Sequence, residues 1–251
     1  MNLNQTMEFN CFINGLPVKA EFSKEDIDEI LLPLLKKLYM LQREKGKRLL
    51  VLLSAPPAAG KSTLVTFLKA LYEENRALFP AASFSVCGMD GFHFRNDYLK
   101  THFIERDGEK LSLKEVKGAP ETFDVTALYE AVLKIAAGKE VLWPVYDRKL
   151  HEPLENAAVV TGDIVLLEGN YFLYDDPSWE KIRTAADLLL GIDAPEGLLK
   201  ERLIRRKIAG GLTPEEAEAF VEKSDLYNVR LCLRHSVPAD ITLCVTGDGS
   251  L

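Results

Sequence analysis

Residues 48–64 read RLLVLLSAPPAAGKSTL: an uninterrupted apolar run passes into a turn of small residues and prolines, and then into Lys61-Ser62-Thr63. The end of this stretch matches the phosphate-binding pattern GxxxxGK[ST] except at its first position. That pattern needs a strand, a tight turn whose backbone N–H groups converge on phosphate oxygens, and a helix whose positive end faces the same anion. Residues 49–53 read as a strand buried on both faces, 55–60 as the turn and 61–72 as the helix. Ala55 replaces the first glycine, and Pro56 and Pro57 follow it without N–H groups to donate. The donors nearest phosphate lie later, at Ala58, Ala59, Gly60, Lys61, Ser62 and Thr63, so the prolines stiffen the turn without removing them. Lys61 is expected to reach nucleotide phosphates, and the Ser62 hydroxyl to ligate magnesium.

The chain has 251 residues and is 47% hydrophobic, enough to bury the core of one α/β domain with an extension. Its 31 Lys and Arg against 38 Asp and Glu give a net charge of −7, so non-specific nucleic-acid binding has no bulk electrostatic support. Cys11, Cys87, Cys232 and Cys244 form no CxxC pair and no zinc-type spacing, and read as reduced thiols. The first residues, MNLNQTMEFN, lack the pattern of a signal peptide, and no apolar run approaches the ~18 residues of a membrane span. The expectation is a cytoplasmic protein with neither a membrane nor a nucleic-acid partner.

Before the phosphate loop, residues 7–13 and 16–22 flank Asn14-Gly15, the dipeptide suited to a two-residue hairpin turn. Ser23 with Asp26 reads as a helix start, followed by apolar residues at helical spacing from Ile27 to Leu41; Pro33 marks a kink or a late start. Residues 1–45 thus form a hairpin and helix extension that reads as structural cover rather than recognition. Its exposed hairpin edge offers pairing with a second subunit, a homodimer. Residues 46–251 form the main domain.

A second apolar strand, 83–88, runs into MDGFHFRN at 89–96. Ligands of open α/β sheets bind outside the carboxyl ends of the strands, which places Asp90 where chemistry is expected. Asp90 is suited to accept a proton from an attacking hydroxyl, and His93, Arg95 and Asn96 to hydrogen-bond a polar substrate. A helix cap or turn is the alternative for Asp90. Residues 97–140 read as loops with one helix over 125–137, entered by KGAPETFD at 117–124 with Asp124 or Thr126 near the cap. Tyr146, Asp147, Arg148 and His151 follow a short strand and suit either a polar ligand or a solvated hairpin. The strand at 163–167 ends in Glu168, a Walker B-like acid able to hold magnesium.

The helix over 194–209 carries Lys200, Arg202, Arg205, Arg206 and Lys207 before Gly210-Gly211, which reads as a lid over 200–212 or as an exposed charged face. Arginines on such a lid would bring positive charge to a transferring phosphoryl group. Thr213 then caps a long helix, 214–234, with Ala217, Phe220, Val221 and Leu226 toward the core, and 241–245 closes the sheet.

With the phosphate loop, MDGFHFRN, KGAPETFD, PVYDRKLH and LLEGN in this order, residues 48–245 resemble the phosphoribulokinase/uridine kinase family of P-loop kinases. DGF with Asn96 and KGAPETFD are similar to bacterial pantothenate kinase, and PVYD with His151 to uridine-cytidine kinases. Length and RLIRRKIAGG resemble a bacterial subgroup known as nucleoside/nucleotide kinase-like or fructose-transport-system kinases. The resemblance implies a P-loop NTPase fold, a three-layer α/β sandwich around a mainly parallel sheet. It also implies ATP and Mg2+ as cofactors and a small-molecule hydroxyl substrate: a sugar, a nucleoside or a pantothenate-like alcohol. By the same resemblance Lys61 and Ser62 serve phosphate and magnesium, Asp90 is the base, Glu168 lies near the metal, Tyr146 and His151 border the acceptor, and Arg202, Arg205 and Arg206 sit on the lid. Met89 and Gly91 depart from the DSFY form of uridine kinases. The competing class is a regulatory ATPase or nucleotide switch with no acceptor; EKSD at 222–225 lacks the leading residue of a guanine-recognition segment.

Overall fold

The computed structural model describes residues 6–13, 16–106 and 108–246. It opens with the antiparallel hairpin β1 (Thr6–Ile13) and β2 (Leu16–Ser23), whose register pairs Ile13 with Leu16. The expected Asn14-Gly15 turn lies outside the described residues. The Ser23 hydroxyl accepts the Asp26 N–H at 2.9 Å, starting a helix as its spacing implies. Pro33 does not break this helix; it stands in the first turn of the α-helical part, whose regular geometry starts late. The preceding residues, Asp26–Leu31, adopt wider π turns, with Leu32 N–H donating to Ile27 O, and α1 (Leu32–Lys45) continues to a left-handed stop at Gly46.

The main body follows as β3 (Leu49–Ser54), α2 (Lys61–Glu74), β4 (Phe84–Gly88), α3 (Asn96–Thr101), β5 (Phe103–Arg106), β6 (Glu109–Ser112) and α4 (Val125–Ala136). Then come β7 (Val141–Asp147), β8 (Glu152–Val160), β9 (Ile164–Gly169), α5 (Pro177–Arg183), β10 (Leu188–Asp193), α6 (Glu196–Ala209), α7 (Pro214–Phe220), α8 (Leu226–Arg234) and β11 (Ile241–Cys244). Five of the strands form one parallel sheet in the order β11-β10-β3-β9-β4. Strands covered on both faces need apolar residues at every position, which is what LLVLL and IVLL supply.

Alternation sends Leu49, Val51 and Leu53 to one face, against α1, α2, α6 and α8, and Leu50 and Leu52 to the other, with Leu128 and Val132 of α4 and Ile182 of α5. The result is the expected three-layer sandwich. Among the described residues no helix is long and apolar enough to cross a membrane.

Three expectations need correction. The segment 97–140 holds more than one helix: α3 and the small β5–β6 hairpin precede α4, whose cap is Asp124, accepting Ala127 N–H at 2.9 Å. The helical stretch after Thr213 is interrupted by π turns at Val221–Asp225. Phe220 does not face the core; it is exposed, with the Lys207 ammonium 3.7 Å from its ring centroid, while Ala217 and Val221 on either side of it are buried.

The N-terminal hairpin is tied to the phosphate-loop helix by aromatic packing. Phe22 stacks on Phe67 of α2 at 3.8 Å, and Phe9 meets the same ring edge-on at 5.1 Å. Phe67→Ala is expected to destabilise the chain by about 3–5 kcal/mol in urea unfolding. It should also open the hairpin to limited proteolysis before the sheet; equal resistance of hairpin and sheet would show that this contact does not anchor β1–β2.

Candidate active site

The loop between β3 and α2 has the curvature an anion requires. Ala58 and Gly60 both adopt left-handed φ, at 66° and 94°, and Ala59 N–H closes the turn on Pro56 O at 3.2 Å. Ala59 is therefore not a free donor, a correction to its expected part. Lys61, Ser62 and Thr63 occupy the first turn of α2, where helix geometry supplies their N–H groups with no acceptor, and no side chain caps this end. A left-handed residue followed by such a turn is a phosphate cradle.

Two carboxylates face this cradle from adjacent strands. Glu168, the last residue but one of β9, pairs in register with Gly88 of β4, and Asp90 follows two residues beyond Gly88 in the short 3-10 turn Met89–Phe92. The Ser62 hydroxyl donates to Glu168 Oε1 at 2.8 Å. Glycines make this packing geometrically feasible: a Cβ at Gly88 would stand 3.0 Å from Glu168 Oε1, and one at Gly91 would stand 2.1 Å from Pro144 O. Trp143 Nε1 donates to Gly88 O at 2.8 Å and fixes the strand end. Gly91 stands out in the sequence only as a departure from the DSFY form, and neither Gly88 nor Trp143 is singled out there as part of the site.

Cations surround the pair. Arg148 Nη2 lies 3.6 Å from Asp90 Oδ2, and His93 Nδ1 lies 2.9 Å from the Asp90 carbonyl oxygen. Burial pushes the Asp90 carboxyl up, but His93, Lys61, Arg148 and Arg206 outweigh it and hold it below its ordinary value. Desolvation pushes His93 down, against the attraction of Asp90. Glu168 goes the other way: burial raises it, the Asp90 charge adds to this, and Lys61, the Ser62 hydrogen bond and Arg148 oppose it. Two neighbouring carboxyls with proton affinities pushed apart are the pattern of divided labour at a site.

The hydroxyl of Ser62 and the carboxylate of Glu168 are hard oxygen donors on one side of the cradle, and Glu168 is buried. That donor set fits a magnesium ion taking few protein ligands and completing its shell with phosphate and water. Among the described residues no cluster of three or more His, Cys, Asp or Glu makes an all-protein metal cage.

The remaining predicted residues divide. Tyr146 is buried, its ring 5.2 Å from that of His93, and burial first of all pushes its hydroxyl up to about 12. Asn96 Nδ2 donates to the His151 carbonyl at 3.0 Å, so His151 contributes its backbone in a left-handed conformation while the residue itself is exposed. Arg95 is exposed at the start of α3 and is not brought to the carboxylates. On α6, Arg202 Nη1 reaches Ala58 O at 3.4 Å and Arg206 acts on Asp90, whereas Arg205 pairs with Glu201 on the solvent side. Arg205 is thus not at the cradle: it is exposed and held by Glu201 one turn earlier, while Arg202 and Arg206, four residues apart, share the other side of α6.

Sequence reading missed two lysines of the loop before α4. Lys114 Nζ and Lys117 Nζ both donate to Asn96 Oδ1, at 2.6 and 3.0 Å. Lys117 also donates to His151 O at 2.9 Å and lies 5.1 Å from the Tyr146 ring centroid. The signal was present in KGAPETFD, which presents a lysine beside a glycine in a loop above the sheet.

The sequence profile of the Phosphoribulokinase / Uridine kinase family matches residues 50–222. An Escherichia coli K12 protein, "Uncharacterized protein YggC", is 41% identical over 244 residues, covering 97% of this chain and 98% of that one. A "Pantothenate kinase" of Sodalis glossinidius is 29% identical over 222 residues, covering 77% and 66% of the two chains. The crystal structure of a "putative fructose transport system kinase" from Silicibacter sp. TM1040 superposes with a TM-score of 0.69 at 30% identity, covering 82% of this chain and 98% of that one.

Gly91→Ala is expected to cost about 1–3 kcal/mol, since its methyl would meet the β7 backbone and not a flexible side chain. Urea titration checks this; unchanged stability would mean that β7 is free to retreat from the Asp90 turn.

Proposed function

This chain belongs to the phosphoribulokinase/uridine kinase family, and we propose that it is an ATP-dependent phosphotransferase acting on a hydroxyl group of a small metabolite. The observation that carries the reading is Asp90, an ionised carboxylate held beside the Ser62–Glu168 pair and under the field of Lys61, Arg148 and Arg206. Phosphoryl transfer through a loose transition state asks the protein mainly for positioning and charge.

In this reading the N–H groups of Gly60, Lys61, Ser62 and Thr63 hold the phosphates, and Ser62 with Glu168 hold magnesium, which supplies charge neutralisation when bound. Asp90 orients the acceptor hydroxyl and takes its proton as the oxygen attacks. Lys61 and Arg206 offset negative charge on the phosphate oxygens, and Arg148 keeps Asp90 ionised and directed. Arg202, bonded to the Ala58 carbonyl, couples α6 to the cradle so that lid and loop move together. Tyr146, His93 and Lys117 border the acceptor, with Lys117 offering a cation to an oxygen-rich or anionic part of it.

The test is ADP release with ATP and magnesium across sugars, nucleosides and hydroxy acids. Turnover is expected to depend on one acceptor class, and Asp90→Asn to lower kcat by about 10²–10⁴ while ATP still binds. ADP release indifferent to both acceptor and substitution would support a regulatory ATPase instead.

The acceptor's KM carries a pH signature. Desolvation, and then the neighbouring Lys114, push Lys117 down to about 8, against the attraction of Glu152. Its charge is therefore present below that pH and lost above it, so KM for an acceptor it holds should rise as pH passes about 8. Lys117→Arg, charged throughout, should remove that limb; a limb that persists would take Lys117 out of acceptor binding.

A further inference from the structure

The cleft that contains Asp90 is completed by a part of the chain outside residues 50–222, the span of the family profile. It is a cavity of about 190 Å³ with Ser62, Asp90 and Glu168 on its polar side. Its apolar lining includes Val86, Val145 and Ala158, from β4 and the β7–β8 hairpin. The last wall is Phe12 and Ile13, at the end of β1. A segment that reads from the sequence as structural cover thus shares a cavity with the catalytic carboxylates.

The strands leading to this end are tied to the phosphate-loop helix. Phe9 and Phe22, at the base of the hairpin, pack on Phe67, and Phe67 lies on the helix that begins at Lys61 and Ser62. Along β1, Phe9, Cys11 and Ile13 are half-buried whereas Phe12 is 76% exposed, and at the end of the strand both Phe12 and Ile13 line the cleft. A large aromatic ring at the rim of a reaction cleft, unburied on an otherwise anchored strand, gains by covering apolar surface that enters the cleft.

We propose that the end of β1, Phe12 and Ile13, is the outer wall of the acceptor site, and that Phe12 selects acceptors whose body presents an apolar face beside the phosphorylated hydroxyl. This rests on the kinase reading above, because the occupant is the phosphate acceptor of that reaction. Phe12 and Asp90 line one and the same cavity, so an acceptor with its hydroxyl at the carboxylate brings its carbon skeleton toward the end of β1. Acceptor choice is then divided: the shared core places the reacting oxygen, and the extension grips the rest of the molecule.

The test compares the wild type with Phe12→Ala, Phe12→Leu and, as a control, Met40→Ala, which trims an exposed apolar residue of α1 away from the cleft. Each is assayed for acceptor KM, ATP KM and kcat over the acceptor panel. Phe12→Ala is expected to raise KM for the preferred acceptor by about 10-fold, in the range one apolar contact contributes, and to narrow its preference over less apolar analogues. KM for ATP should move by less than about 2-fold, Phe12→Leu should restore most of the loss, and Met40→Ala should match the wild type. Equal acceptor KM and equal preference in the wild type and Phe12→Ala would overturn the proposal while leaving the kinase reading intact. Acceptor-independent turnover in every variant would instead overturn the kinase reading, and the proposal with it.

Discussion

Everything at this site follows from placing two carboxylates at the ends of neighbouring parallel strands and keeping one of them ionised. Adjacent strands lie about 4.8 Å apart, and two unit charges at about 5 Å repel by roughly 3 kcal/mol at an effective dielectric near 20. The fold answers with separate partners for each acid. Glu168 takes the Ser62 hydroxyl, and burial biases it toward the proton; Asp90 takes Arg148 and the fields of Lys61 and Arg206, and stays charged. The glycines on both sides are consequences of the same constraint. Gly88 leaves room for the Glu168 carboxylate, and Gly91 lets the β7 backbone close on the turn that aims Asp90.

The sheet was legible because its strands are buried on both faces and therefore apolar without interruption. LLVLL and IVLL are short, apolar and followed by a turn, which reads as buried strand, and Glu168 at the end of the second run is conspicuous. Asp90, Glu168, Lys61 and Ser62 could thus be placed relative to one another before any contact was visible. Arg148 and Tyr146 were legible as members of a mixed segment, but not their partners, since the β7–β8 register decides which side chain turns toward Asp90. Arg205 and Arg206 are adjacent in sequence and opposite in effect; spacing alone put them in one group, and only the position of α6 separates the one that acts on Asp90 from the one paired with Glu201.

Contacts between distant segments were the least legible. Lys114 and Lys117 meet on Asn96, which lies eighteen and twenty-one residues earlier, and the backbone of His151 joins them from another hairpin. The N-terminal hairpin is a stronger case. Its sequence carries no phosphoryl-transfer motif, and its part at the cleft follows from where Phe67 anchors it. A conserved chemistry can be kept on the sheet while acceptor choice is varied on elements added around it, which is the general logic of sites grafted on a common fold.

The most direct measurement follows the phosphoryl group itself. The protein is incubated with magnesium and ATP labelled with oxygen-18 on the γ-phosphate, in a mixture of small metabolites, and the products are resolved by mass spectrometry. The label is expected in a phosphomonoester of one hydroxyl compound, in amount equal to the ADP formed, and to disappear from it in Asp90→Asn. Label found only in inorganic phosphate, at the same rate with and without the mixture, would contradict the assignment of this site to phosphoryl transfer onto a metabolite.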